Sequence, residues 1–359
     1  MIPATNQNNF GLDISGRALR CVYLKKEGKK ITVNSFGEIR LANGIIENGE
    51  IKKPDLLAKE IEKLLRLANG GRIATKDVIA VLPEPKTFVK VMTTANVQTE
   101  ISELVKEEIK NHIPFSPDEI YLDWQVIYQN QKTIKLLVGA APKDIVDSYT
   151  SALEKSGLTP QSLEIEALAI TRSLVPEEDI KPKIIIDFGA IRTGLIVYDQ
   201  QAVQFTVSLP ISGRKITETI SQSLKLEWMK AEKAKIICGL DKTKCEGALL
   251  KILMGAINQL TTHIKKAIIF YQTNFSGANP IAEIIICGGG ANFSQIDKVL
   301  AEKLNLPVRI GNPLTKITPS KKISIPDNKI LSYTTAIGLA LGNWIKPQKI
   351  KKHKIDKKK

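Results

Sequence analysis

Ile184-Ile185-Ile186-Asp187-Phe188-Gly189-Ala190-Ile191-Arg192-Thr193 reads as a buried strand that delivers a carboxylate to a small-residue turn. A second apolar run, Leu195 to Tyr198, follows, so the stretch predicts a β-hairpin. The same message stands near the N-terminus as Phe10-Gly11-Leu12-Asp13-Ile14-Ser15-Gly16-Arg17, followed by an apolar run from Leu19 to Leu24. An Asp at the end of a buried strand is costly unless something cationic or donating faces it. Meeting that cost in two matching hairpins predicts two half-sites turned toward one anionic, metal-bound ligand, a nucleotide.

Outward from the first hairpin, the turn-rich run Asn43-Gly44 to Gly49-Glu50 leads to a helix starting at Pro54. Leu57, Ile61, Leu64, Leu65 and Ala68 form its apolar stripe, and Asn69-Gly70-Gly71 ends it. From Asp77 the texture changes. Val78–Leu82 and Thr87–Val91 flank Pro83-Glu84-Pro85-Lys86 as a predicted hairpin. A helix over roughly 100–112, strands at Tyr121–Tyr128 and Ile134–Ala140, and a helix at Pro142–Ser156 complete an α+β insertion of about 80 residues. Lys183 then restarts the opening pattern. Phe205–Leu209 is a further strand, Ser212-Gly213-Arg214 opens a helix, and Ile284-Ile285-Ile286-Cys287 runs into Gly288-Gly289-Gly290-Ala291. The chain reads as a duplicated α/β unit with an insertion in its first half.

At 359 residues there is chain enough for two cored domains, and 43% hydrophobic with 25% charged residues is the composition of a soluble globular protein. No apolar stretch approaches the ~20 residues of a membrane span, and the N-terminus has no signal-peptide pattern. A cytoplasmic protein is expected. Cys21, Cys238, Cys245 and Cys287 lack zinc-type spacing and read as reduced core residues. Much of the net charge of +15 lies in residues 346–359, where lysines face Asp356 alone. That segment reads as a disordered tail, with contact to anionic lipid as its sharper reading.

The chemistry can be assigned from the residues. There is no GxxxxGK[ST] cradle, and in a dinucleotide fingerprint the third glycine would be Phe293, whose bulk forbids close helix packing. Backbone amides at Ser15-Gly16 and Gly189-Ala190 can nest phosphates. Ser15 and Thr193 add hydroxyls, and Asp13 and Asp187 would hold Mg²⁺ through waters. Gly288, Gly289, Gly290 and Ala291 leave room for a purine or ribose.

These motifs resemble the actin/hexokinase/chaperone ATPase superfamily, and within it the PilM family of type IV pilus assembly proteins, relatives of the division protein FtsA. The resemblance runs from about residue 8 to residue 344. It implies an actin-like, duplicated ribonuclease H-like α/β ATPase fold of two domains with a 1C-type insertion. Domain I would take 1–180, with the insertion at about 77–158, and domain II 181–332. A returning helix would occupy 333–345. It implies ATP and Mg²⁺ as cofactors, with Asp13, Ser15 and Gly16 on the first phosphate loop and Asp187, Gly189, Ala190 and Thr193 on the second. Glu166 falls where relatives orient the attacking water. Gly213 and Arg214 fall among the nucleotide contacts, Glu232 and Lys235 flank ribose and adenine, and Gly288–Gly290 form the adenosine loop. The chain departs from the family pattern in having Ser15-Gly16 for Gly-Ser, and Arg20 where Lys is common.

The resemblance further implies a scaffold at the inner membrane that grips the N-terminal peptide of a PilN-like membrane protein. Phe88, Val89, Val91 and Ile113-Pro114-Phe115 are candidate groove residues, and self-association is compatible with the family. Hydrolysis would be slow at most, with Glu166 the candidate base. An FtsA-like polymerising protein is the alternative. It requires an amphipathic membrane helix, for which residues 346–359 supply only Ile350 and Ile355. A small-molecule kinase would need an Asp in a Gly-rich substrate loop, and neither Asp77 nor Asp123 sits in one.

Overall fold

A computed structural model describes residues 8–95, 100–110, 116–320 and 323–344. The turn at Ile113–Phe115 and the Lys-rich segment 346–359, both singled out above, lie outside the described residues.

In chain order, the first half begins with strands β1 (Phe10–Ile14), β2 (Ala18–Glu27) and β3 (Lys30–Arg40). A two-residue ribbon, β4 (Ile46–Glu47) with β5 (Glu50–Ile51), precedes helix α1 (Pro54–Arg66) and strand β6 (Asp77–Leu82). Within the expected insertion, after β6, come β7 (Phe88–Ala95), α2 (Ile101–Ile109), β8 (Ile120–Gln129), β9 (Thr133–Pro142) and α3 (Lys143–Lys155). After β10 (Thr159–Ile165) and α4 (Glu166–Leu174) come β11 (Lys183–Phe188), β12 (Thr193–Asp199), β13 (Ala202–Leu209), α5 (Gly213–Leu224) and α6 (Trp228–Cys238). The long α7 (Ala248–Asn274), β14 (Glu283–Cys287), α8 (Ile296–Leu304), β15 (Val308–Ile310), α9 (Asp327–Ile330) and α10 (Thr334–Leu341) complete the chain.

The strands form a five-stranded sheet, β10-β6-β1-β2-β3, and an eight-stranded sheet, β15-β14-β11-β12-β13-β7-β9-β8. In each, a predicted hairpin (β1–β2, β11–β12) pairs antiparallel and its first strand pairs parallel with a later one. Ile184, Ile185 and Ile186 are all fully buried, as expected of a central strand covered on both faces. The Val78–Leu82 and Thr87–Val91 runs are not hairpin partners. β6 pairs with β1 and β10, whereas β7 pairs with β9 and touches β13 only at Phe205↔Lys90. Glu84–Lys86 is a single 3-10 turn that carries the chain from one sheet to the other, with Pro83 and Pro85 stiffening the crossing. Periodicity locates strands but does not say which strands share a ladder.

Helices α1 and α3 cover the outer face of the first sheet, and α5, α7 and α8 cover the outer face of the second. Helices α4 and α10 lie between the sheets. Ile170 and Leu174 of α4 meet Ile185 and Ile285, while Ala169 meets Ile79, Val81 and Leu339. Small residues permit this approach: a Cβ on Gly11 would lie 2.3 Å from the Ala336 carbonyl oxygen, and one on Gly338 would lie 1.9 Å from that of Ala169. Cys238 and Cys245 are joined in a disulfide, correcting their reading as reduced core residues; the end of α6 and the turn before α7 bring them together. Cys21 and Cys287 are free and buried.

Gly11→Val is expected to force α10 off β1 and to destabilise the protein by about 1–3 kcal/mol or more, the ordinary cost of overpacking a dense core. A thermal melt with an unchanged midpoint would contradict the packing.

Candidate functional site

The parallel strands β1, β6 and β10, and likewise β11 and β14, run their carboxyl ends to one seam between the sheets. Open α/β sheets bind ligands outside such strand ends. Asp13 stands at the end of β1, Glu84 just past β6, Glu166 directly after β10, Asp187 near the end of β11, and Gly288 just past β14. The two hairpin tips meet there: a Cβ on Gly16 would lie 2.8 Å from Ile191 Cδ1.

Much of the polar backbone at the tips is already engaged. The Ser15 amide and hydroxyl both donate to the Ala18 carbonyl, at 3.0 and 2.9 Å. The Gly189 amide donates to the Arg192 carbonyl at 3.0 Å. The carbonyls of Gly189 and Ala190 accept from the amides of Gly213 and Arg214, each at 3.0 Å, so the second tip caps α5. Thr193 is fully buried and its hydroxyl donates to the Ile211 carbonyl at 2.7 Å. In this structure the hydroxyl secures the strand to the segment before α5.

The two aspartates are less satisfied. Asp13 lies opposite Arg20 in the β1–β2 register, and Arg20 Nη1 is 3.4 Å from Asp13 Oδ2. Arg20 is shared, since its Nε donates to Glu38 on β3 at 2.8 Å. Asp13 Oδ1 is buried with no hydrogen-bond partner. Asp187 Oδ1 accepts only a weak bond from Cys287 Sγ at 3.8 Å, and a Cβ on Gly288 would lie 2.4 Å from that same oxygen. Gly288 also has φ +79°, so glycine is required on both counts. Burial pushes the Asp13 carboxyl up to about 7, with Arg20 opposing it and the Glu166 charge adding to it. Burial likewise pushes Asp187 up to about 7, reinforced by Glu166 and Asp13 and opposed by Arg192.

Arg192, in the turn between β11 and β12, donates to both Glu84 and Glu166. Burial works against its charge, but Glu166, Glu84 and Asp187 outweigh it and hold the guanidinium above its ordinary pKa. Burial raises Glu84 despite that partner. Glu166 is therefore held in an ion pair, where the sequence suggested a free base.

Farther along the seam, Lys235 is not an exposed partner of Glu232. It is buried, and its Nζ donates to the Gly213 carbonyl, Thr217 Oγ1 and Glu232 at 3.1, 2.6 and 2.6 Å. Burial lowers its pKa while Glu232 opposes that shift. The lysine thus ties α6 to the start of α5. Gly290 packs onto the Phe188 ring, and Gly289 faces open space. Arg17, Arg40 and Arg214 also gather at the tips: the Leu41 amide donates to the Arg17 carbonyl and the Arg214 amide to that of Ala190. Among the described residues none of the three has a carboxylate partner within ion-pair distance, and Arg214 lies over the Trp228 ring. Sequence reasoning missed Glu84, Arg192, Arg17 and Arg40. Their signals, a carboxylate between two prolines and arginines beside both turns, become informative only once the seam is known.

The donor set can be tested against a metal. Among the described residues no three His, Cys, Asp or Glu side chains are grouped as a ready cage. One buried and one half-buried aspartate, each with an under-satisfied oxygen, fit a cation that keeps most of its water, as Mg²⁺ does. They do not fit zinc.

A separate groove of about 560 Å³ lies between the insertion, β10 and α4. Tyr121, Ile127, Leu137, Leu163, Leu168 and Val175 give it apolar walls, and Lys135, Arg172 and Lys316 stand at its rim. Val89 lines it, but Val91 is buried in the core, and Phe88 packs on the insertion core and lines a second cleft. By the alternation of β7, Phe88 faces away from Val89, whereas Val91 shares the Val89 face and is buried beyond the groove's lining. Its β8 wall is the edge of the eight-stranded sheet.

The raised aspartates fix a pH dependence. The folded chain holds protons that the unfolded chain releases near the ordinary aspartate value of 3.8, and gives them up near 7. Stability is therefore greatest below the unfolded value and falls as pH rises through about 7. Urea titrations of the ligand-free chain are expected to show a lower midpoint at pH 8 than at pH 5, and Asp187→Asn should flatten the difference. A midpoint rising over that interval would contradict the burial argument.

The signature of the family described as "Type IV pilus assembly protein PilM" matches residues 11–344. Among solved structures, the "PilM-PilN type IV pilus biogenesis complex" superposes with TM-score 0.79 at 23% identity, covering 94% of this chain and 98% of that chain. MreB5 of Spiroplasma citri bound to AMPPNP superposes with TM-score 0.52 at 14% identity, covering 94% and 95%. The cell division protein FtsA of Neisseria meningitidis serogroup B is 23% identical over 328 residues, spanning 86% of this chain and 69% of that protein. FtsA of Pseudomonas aeruginosa is 22% identical over 211 residues, spanning 53% of this chain and about half of its own length. The structural likenesses carry an actin-like fold, and with the family signature reaching across both sheets, this chain belongs to the PilM family of type IV pilus assembly proteins.

Proposed function

We propose that this protein is an ATP-binding scaffold of the inner-membrane platform that builds a type IV pilus or related secretion system. It would bind Mg·ATP in the seam and the N-terminal cytoplasmic peptide of a PilN-like membrane protein in the groove. The observation that carries the nucleotide reading is the pair Asp13, buried, and Asp187, half-buried, at strand ends with under-satisfied oxygens. Both would hold the metal through its waters; bound there, Mg²⁺ would neutralise charge on the phosphates. Arg17 and Arg214, one beside each tip, would attract the phosphates, and Gly289 leaves the adenosine side open. With Glu166 held by Arg192, this arrangement favours retention of nucleotide over rapid turnover.

For the peptide, the apolar groove and the edge strand β8 supply what an extended segment needs: side-chain pockets and backbone groups to pair with. No described helix is long and apolar enough to cross a membrane, so a peptide grip of this kind would place the protein at the inner membrane through its partner. The FtsA-like alternative rests on the sequence similarity alone.

Asp187→Ala is expected to weaken Mg²⁺-dependent binding of fluorescent ATP about 10–100-fold, as loss of a water-mediated metal partner does. Unchanged affinity would overturn the metal assignment. Ile127→Glu is expected to abolish capture of a peptide made from the first dozen residues of the co-encoded membrane protein, with the melting temperature preserved. Full retention of binding would remove the groove from the proposal.

A further inference from the structure

The two carboxylates that hold Arg192 do not line the groove themselves, Glu84 lining the second cleft, but both sit in the chain between residues that do. Glu84 lies between Leu82 and Val89, and Glu166 lies between Ile165 and Leu168; all four of these neighbours line the groove. Helix α4, which Glu166 begins, continues along the groove through Thr171, Arg172 and Val175. A single guanidinium from the β11–β12 turn therefore pins the β6–β7 corner and the start of α4 to the second hairpin. We propose that Arg192 couples the seam to the groove: an anion bound at the hairpin tips draws the guanidinium off Glu84 and Glu166 and so changes the groove's shape.

The argument is electrostatic. Arg192 is in the turn that carries Gly189 and Ala190, so a polyphosphate at the tips would arrive beside it. Guanidinium binds phosphate oxygens in the same forked geometry as carboxylate oxygens, so the phosphate competes directly with the two glutamates. Glu84 and Glu166 are buried or nearly so, and a buried carboxylate deprived of its cation is strongly unfavourable. Their relief is to move toward water or toward the metal-bound ligand, and each carries a groove wall with it. By linkage, a peptide that holds those walls alters the affinity for the anion by the same factor. This inference rests on the nucleotide reading of the seam.

Hydrogen exchange on the full chain tests it. With Mg·ATP, amides of 82–89 and 166–175 are expected to exchange about five-fold faster or more, the lower end of ordinary coupling. Arg192→Gln should remove that response. The shape-conserving double variant Glu84→Gln, Glu166→Gln should raise exchange in the same segments with no nucleotide present. Unaltered exchange in the double variant, or a nucleotide response that survives Arg192→Gln, overturns the coupling. If fluorescent ATP fails to bind the wild-type chain, the reading of the seam fails and the nucleotide is lost as trigger. The double variant then decides by itself whether the latch controls the groove.

Discussion

Two carboxylates held largely out of water at the ends of central strands set the terms for the rest of this molecule. Asp13 is buried and Asp187 half-buried, each on a strand made mostly of buried apolar residues, so neither can move fully into solvent without disturbing its sheet. Each has a cation nearby, but Arg20 is shared with Glu38, and Arg192 is committed to Glu84 and Glu166. A soluble protein ordinarily pairs or removes buried charge of this kind. Its presence twice, in facing hairpins, is what supports the proposal of a site whose neutralising partner comes from outside.

The surrounding architecture keeps the two carboxylates in place. Helices α4 and α10 are wedged between the sheets, and their closest approaches depend on Gly11 and Gly338, where a single methyl group would collide with backbone. The second hairpin is fastened to α5 by its own tip carbonyls, and α5 is fastened to α6 by buried Lys235. Thr193 and Lys235, expected from the sequence to meet the ligand, are structural ties that set the seam's geometry. Two aspartates, the arginines at the tips and an open glycine turn complete the proposed nucleotide site.

The fold was legible because its signal is local. The runs around Asp13 and Asp187 announce matching hairpins, and Ile284–Cys287 followed by glycines announces the third part of the second unit. Harder to read was the crossing at Pro83–Lys86, since two strands separated by a short turn look like a hairpin whether or not they share a ladder. Glu84 and Arg192 escaped notice for a related reason: they are 108 positions apart and acquire meaning only when the two sheets meet. The orientation of β7 was equally hidden. Phe88 faces away from the groove and Val89 lines it, while Val91, on the Val89 face, is buried outside it, and the pairing of β7 with β9 and β13 settles this.

A scaffold with a guarded seam and a separate apolar groove suits a protein whose task is to hold partners in an ordered state. The most direct test of the central claim is a crystal structure with a nonhydrolysable ATP analogue and Mn²⁺, read by anomalous scattering. A metal peak between the carboxylates of Asp13 and Asp187, bridged to them by water, is the expected result. A nucleotide bound elsewhere, or a metal peak remote from both carboxylates, would contradict the account.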